Sequence, residues 1–110
     1  MAGRKNDADK LRMDLIPTEA THALAAVLTM GAKKYDDNNW REGIKYSRLV
    51  GALKRHLTAW ESGEVYDEES QLNHMAHVLC NAAFLIAFEY ESRSGLNDLY
   101  GYNKIKEPDK

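Results

Sequence analysis

The side chains that could do chemistry crowd into one window of this 110-residue chain, from Arg55 to Asn81. His56, His74 and His77 lie there, three of the four histidines, together with Glu61, Glu64, Asp67, Glu68 and Glu69. Carboxylate oxygens suit magnesium or manganese, and imidazole nitrogens shift preference toward transition metals. Glu64, Asp67 and Glu69 supply oxygens; His74, His77 and His56 supply nitrogens. With Lys and Arg close by, the natural substrate is a phosphate ester or anhydride, whose charge a divalent ion neutralises while it activates water. The structural alternative is a solvated acidic turn beside an internal hydrogen-bond network. Glu61 and Glu64 have ExxE spacing, but Gly63 lies between them, so they are not a pair on one helical face.

Other chemistries find no footing. There is no glycine-rich phosphate loop and no nucleophile elbow. A single cysteine, Cys80, cannot supply a zinc-finger spacing, and it sits in an apolar run where a buried, inert thiol is expected. A formal charge of −2 gives no bulk attraction to nucleic acid or anionic lipid. Hydrophobic content of 44% against 29% charged residues fits a folded globular chain. The N-terminus lacks the apolar core of a signal peptide, and no stretch is long enough to span a bilayer, so a cytoplasmic protein is expected.

The elements that must position these residues are helical, in one domain over 1–110, with 1–10 and 104–110 expected to be flexible. An all-α bundle of three main helices is predicted, at about 17–35, 47–62 and 69–93. In the first, Ala20, Ala23, Leu24, Val27, Leu28 and Gly31 form an apolar stripe. The second is expected to start at Ser47 as N-cap, to bury Leu49, Val50, Leu53, Leu57 and Trp60 with His56 among them, and to stop at Gly63. The third is apolar nearly all round, which makes it central and hard for two neighbours to cover, so oligomerisation is expected to complete the bundle. Glu68 and Glu69 are placed at its start, and Gly95 is expected to cap its end. Its polar stripe, His74, His77 and Asn81, must meet partners or a ligand cavity. Trp40, in a polar loop, either plugs the core edge or forms a ligand wall.

The run Arg55-His56-Leu57 … Ala59-Trp60 … Gly63-Glu64 … Asp67 … Glu69-Ser70 … Leu72 … His74 … His77 … Asn81 … Phe84-Leu85 resembles phage and prophage proteins of the dATP/dGTP diphosphohydrolase N-terminal family. Upstream, Lys10 … Arg12 … Asp14-Leu15-Ile16-Pro17 and Gly31-Ala32-Lys33-Lys34-Tyr35 … Asn39-Trp40-Arg41 carry the same likeness. That family is similar to the all-α MazG-like nucleotide pyrophosphohydrolases. The resemblance implies a homo-oligomer, dimer or tetramer, that uses Mg2+ (Mn2+ as the alternative) to cleave a purine deoxynucleoside triphosphate to monophosphate and pyrophosphate. MazG-like enzymes carry ExxE and ExxD on successive helices. Here Lys54 and Arg55 stand in the first register and His74-Met75-Ala76-His77 in the second. The resemblance also leads us to expect glycine at position 71 and proline at positions 68 and 73, where Gln71, Glu68 and Asn73 stand.

On this reading Glu64, Asp67, His74 and His77 are the catalytic groups, and the metal set is Glu64, Asp67, Glu69, His74 and His77. Lys33, Lys34, Arg41 and Arg55 would hold phosphates. Tyr35 or Trp40 would stack on the base, and Asn39 or Asn81 would hydrogen-bond to base or sugar. A histidine-metal phosphohydrolase using His56, His74, His77 and Asp67 is one competing reading. A non-enzymatic helical binding module is another.

Overall fold

A computed structural model describes residues 3–101. Among them it contains three α-helices, α1 (Thr18–Lys34), α2 (Tyr46–Glu61) and α3 (His74–Tyr90), and no strand. Short 3-10 turns occupy Met13–Leu15, Asn39–Glu42 and Ser94–Leu96. The all-α, three-helix expectation therefore holds. The expected tail at 104–110 lies outside the described residues.

α3 is the central element. Val27 of α1 packs on Ala76 and Cys80, with Leu24, Leu72 and Phe84 around them. Tyr46 and Leu49 of α2 pack on Phe88, with Trp40, Ile44, Leu85 and Leu96. Phe84 touches both clusters and joins them. α2 runs along α3 and α1 packs on it less extensively, while α1 and α2 barely meet. Cys80 is buried, and burial pushes its thiol up to about 11, so it is a core residue as expected. Trp60, predicted on the buried face of α2, is instead 43% exposed, because α3 begins too late in the chain to cover the end of α2.

That late start is the main departure from the predicted boundaries. α3 begins at His74, not near Glu69. The segment before it folds back on itself. Asp67 N–H donates to Leu72 O, Gln71 N–H to Asp67 O, and His74 N–H to Val65 O, around a bridge between Tyr66 and Asn73. Gln71 sits at φ 63°, left-handed backbone that cannot extend a helix. This is the position where glycine was expected. Asn73 Oδ1 accepts from Met75 N–H and caps the helix.

The other helix ends follow the same local physics. Gly63, at φ 108°, closes α2: its N–H donates to Trp60 O and that of Glu64 to Ala59 O. Ser47 is not the N-cap of α2. It lies in the first turn, where Asp98 accepts from its backbone N–H and its Oγ–H at 2.8 and 2.6 Å. These bonds hold the Asp98 carboxyl below its ordinary value. α3 ends at Tyr90, and Ser92, not Gly95, takes the left-handed position, at φ 56°. There Ser92 N–H donates to Glu89 O and Arg93 N–H to Phe88 O. A side chain with a Cβ at this position costs about 1 kcal/mol over glycine. Ser92→Gly is therefore expected to raise stability by about 1 kcal/mol in urea unfolding, and an unchanged midpoint would contradict the assignment.

Candidate metal and phosphate site

The fold-back between α2 and α3 brings three groups to one point. His56 of α2, Asp67 of the turn and His74 of α3 each present a donor atom within 4.8 Å of the other two. His56 Nδ1 and His74 Nδ1 are 2.9 Å apart, and His56 Nδ1 lies 4.0 Å from Asp67 Oδ1. Glu64 Oε2 lies 3.2 Å from His74 Nε2.

The protons of this cluster can be assigned. A carboxylate only accepts, so His74 Nε2–H donates to Glu64. In a neutral His74 that leaves Nδ1 bare, to accept from His56 Nδ1–H. Ser70 Oγ accepts from Leu72 N–H and shares a hydrogen bond with His77 Nε2 at 2.7 Å. Ser70 N–H donates to Asp67 Oδ2 at 2.8 Å. The His77 ring stacks on His56 at 4.3 Å and 7°. Burial first, and then neighbouring imidazoles, hold His56 below the ordinary histidine value; burial does the same for His77. The bond from the Ser70 backbone leads the causes that lower Asp67.

The predicted metal residues thus separate. Asp67 and His74 come together, and His56 joins them; Glu64 reaches only the far nitrogen of His74, Nε2, and is not one of the three. His77 adjoins them, but its Nε2 is engaged by Ser70. Glu69 does not join: it is exposed and pairs with Lys34 at 3.9 Å, because α3 starts after the turn and leaves Glu69 outside it. The His56, Asp67 and His74 groups would hold a divalent ion through two imidazole nitrogens and one carboxylate oxygen. An imidazole-rich set favours manganese or another transition metal over magnesium.

Between α1 and α2 lies a cleft of about 1110 Å³. Of the eight predicted substrate residues, Tyr35, Asn39, Trp40, Arg41, Arg55 and Asn81 line it, while Lys33 and Lys34 do not. Two of the six are committed elsewhere. Trp40 stacks on Phe84 at 4.3 Å and carries the Arg41 guanidinium 4.4 Å from its ring centre. Two groups at that range cannot share one face, so both faces are covered and Trp40 is the core plug, with only its edge toward the cleft. Arg41 also pairs with Glu91 at 2.8 Å. Asn81 Nδ2 donates to His77 O, which leaves its side-chain oxygen as an acceptor. Arg48, Gly51 and Ala52 line the cleft as well, without having been predicted in the site. Their spacing with Arg55 was readable in the sequence. The role of Ser70 was not, since it depends on the fold-back.

The chain is thus an all-α domain in which an imidazole–carboxylate cluster and a cation-bearing cleft share helix α2. It belongs to the family described as dATP/dGTP diphosphohydrolase, N-terminal, whose model matches residues 1–98. It is 38% identical over 85 residues to a dATP/dGTP diphosphohydrolase of Salmonella phage PMBT28. That alignment covers 77% of this chain and 29% of the relative, so the chain spans less than a third of the relative's length. No solved structure matches. No helix among the described residues is long and apolar enough to cross a membrane.

The buried imidazoles set a pH dependence whose sign can be worked out. His56 and His77 lie below the ordinary value of 6.5, so the unfolded chain takes up protons first as pH falls. Their contribution to stability is complete above about pH 7 and is lost progressively below 6.5. Asp67, lowered from 3.8, adds a further loss in stronger acid. Urea unfolding at pH 7.5 and pH 5 is expected to show lower stability at pH 5. A His56→Gln, His77→Gln variant is expected to flatten that difference, and an equal slope in both proteins would refute neutral burial of these rings.

Proposed function

We propose that this domain hydrolyses deoxynucleoside triphosphates, preferring purines, to monophosphate and pyrophosphate with a divalent ion held by His56, Asp67 and His74. The observation that carries this reading is the placement of Arg55 and His56 side by side on α2, one lining the cleft and the other in the imidazole–carboxylate cluster. The name of the phage relative supports the substrate class. The imidazoles at 2.9 Å favour the histidine-metal geometry over an all-carboxylate cage, with Mn2+ preferred to Mg2+.

When bound, the ion supplies charge neutralisation at phosphate and acidifies a water. The chain's own residues do the rest. Tyr35, 59% exposed at the cleft, stacks on the base. Asn39 and the free oxygen of Asn81 hydrogen-bond to base or sugar. Arg55 holds phosphate by charge-assisted bonds. Glu64, exposed at the rim and bonded to His74, accepts the proton of the attacking water. His77 and Ser70 hold His56 and Asp67 in place. MazG-like homo-oligomerisation also belongs to this reading. Met75, Leu79, Ile86 and Tyr90 form an exposed stripe on α3 that suits a second copy.

A non-enzymatic module is favoured by one observation. Every buried side-chain nitrogen and oxygen among the described residues has a partner, so the cluster closes by itself. Assay and metal binding separate the two readings. Pyrophosphate release from dATP and dGTP is expected with Mn2+ and, more weakly, Mg2+, and should stop on chelation. Asp67→Asn and His74→Gln are expected to lower it at least about tenfold with helicity intact. Absence of both turnover and calorimetric Mn2+ binding would leave the module. In light scattering, the wild type is expected to be larger than a monomer and an Ile86→Glu, Leu79→Glu variant smaller. A monomeric wild type would remove the oligomer.

A further inference from the structure

Deepening the nucleotide reading and resting on it, we infer that Arg48 and Arg55 form the polyphosphate seat of the cleft, with Gly51 as the notch that makes the two arginines converge. Positions 48, 51, 52 and 55 follow i, i+3, i+4, i+7 spacing, so they share one face of α2, and all four line the cleft. The two arginines stand two turns apart, about 10 Å along the axis. Between them Gly51 and Ala52 leave the helix surface low, and a chain of phosphates can reach both guanidinium groups.

The remaining cations near the cleft are occupied. Arg41 is held by Glu91 and by the Trp40 ring. Lys34 pairs with Glu69 and does not line the cleft. Neither Arg48 nor Arg55 has a carboxylate partner among the described residues. Two unpaired guanidiniums on one wall of a cavity are a fit for a multiply charged anion, and the planar fork matches phosphate oxygens.

Gly51 adds a geometric argument. It lies in regular helix, so no unusual backbone angle explains a glycine, which costs about 1 kcal/mol there relative to alanine. A Cβ built at Gly51 would lie 3.3 Å from Arg55 Nη1 and close to nothing else within 4 Å. The Arg55 guanidinium is therefore folded back along the helix, over Gly51 and toward Arg48. An added methyl group would meet that nitrogen tighter than ordinary contact and shift the guanidinium by a few tenths of an ångström. Gly51 thus acts on the anion through Arg55 and is a positioning residue.

The test uses the full chain and isothermal titration with inorganic tripolyphosphate, dATP, dGTP and deoxyadenosine, with melting curves for each variant. Arg48→Gln and Arg55→Gln are each expected to weaken tripolyphosphate and the triphosphates about tenfold. Deoxyadenosine, which carries no phosphate, is expected to bind all variants as it binds wild type. Gly51→Ala is expected to weaken the anions several-fold while melting at a higher temperature. A purely structural role for Gly51 would not lower anion affinity in a more stable protein. Unchanged tripolyphosphate and triphosphate affinity in the arginine variants overturns the seat and leaves the nucleotide reading standing, provided wild type binds dATP or dGTP. A wild type that binds none of these phosphates overturns both.

Discussion

His74 and His77 enter the interior at the first turn of α3, and a buried imidazole must find partners for its nitrogens. That requirement shapes the chain on both sides. Ahead of α3 the segment folds back so that Ser70 reaches His77 and Glu64 reaches His74. The fold-back needs left-handed backbone at Gln71, a cap from Asn73 and the closing turn at Gly63. On α2, the position facing these rings is taken by His56, which stacks on one and bonds to the other. An aliphatic residue there would fill the space but leave His74 Nδ1 buried without a donor. The cluster is thus a structural knot before it is anything else, and its chemistry follows from the donors the knot brings together.

The central position of α3 has a second consequence. α1 and α2 each pack on it and barely touch each other, so a cleft remains between them. The loop joining them does not fill this space, because Trp40 is held flat between Phe84 and Arg41. Arg41 is fixed in turn by Glu91 at the far end of α3. Two further long-range ties hold this end. Arg93 donates to the carbonyls of Arg41 and Glu42, and the Asp98 carboxylate accepts from Ser47 in the first turn of α2. The wall formed by α2 is therefore anchored at its N-terminus, where Arg48 stands, and at its C-terminus by His56.

Periodicity carried most of the fold. The three helices lie where apolar spacing puts them, and the helix that is apolar all round is the central one. The misplaced ends have local causes. Residues 69–73 read as a helix start because Glu68 and Glu69 suit a helix dipole. Nothing in the residue type of Gln71 or Ser92 announces a left-handed backbone, which glycine would have signalled. Glu69 was counted in the metal set as a carboxylate of the acidic turn, and the fold-back leaves it exposed beside Lys34. The cluster was legible as a stripe of histidines beside an acidic turn, but His56 reads from spacing only as a core-facing residue. Its meeting with His74 needs the relative height of two helices, which no single-helix pattern contains. In the same way Trp40 was ambiguous until Phe84 and Arg41 were seen to cover both of its faces.

The 2.9 Å between His56 Nδ1 and His74 Nδ1 suits an N–H···N bond, and the same two nitrogens are donors that would hold a divalent ion. The two uses exclude each other. The bond needs a proton on His56 Nδ1, and donation to an ion needs that nitrogen bare, so His56 would pass its proton to Nε2 or to water. On the metal reading, the same nitrogens would either close an internal bond or hold the ion, and no buried side-chain nitrogen or oxygen among the described residues is left unpaired. The depression of His56 and His77 then serves both states. It keeps the rings neutral near pH 7, which the internal bond needs and which a metal donor needs equally. Acid opposes both, because a second proton on His56 ends its donation to an ion and places a charge against the His77 ring 4.3 Å away.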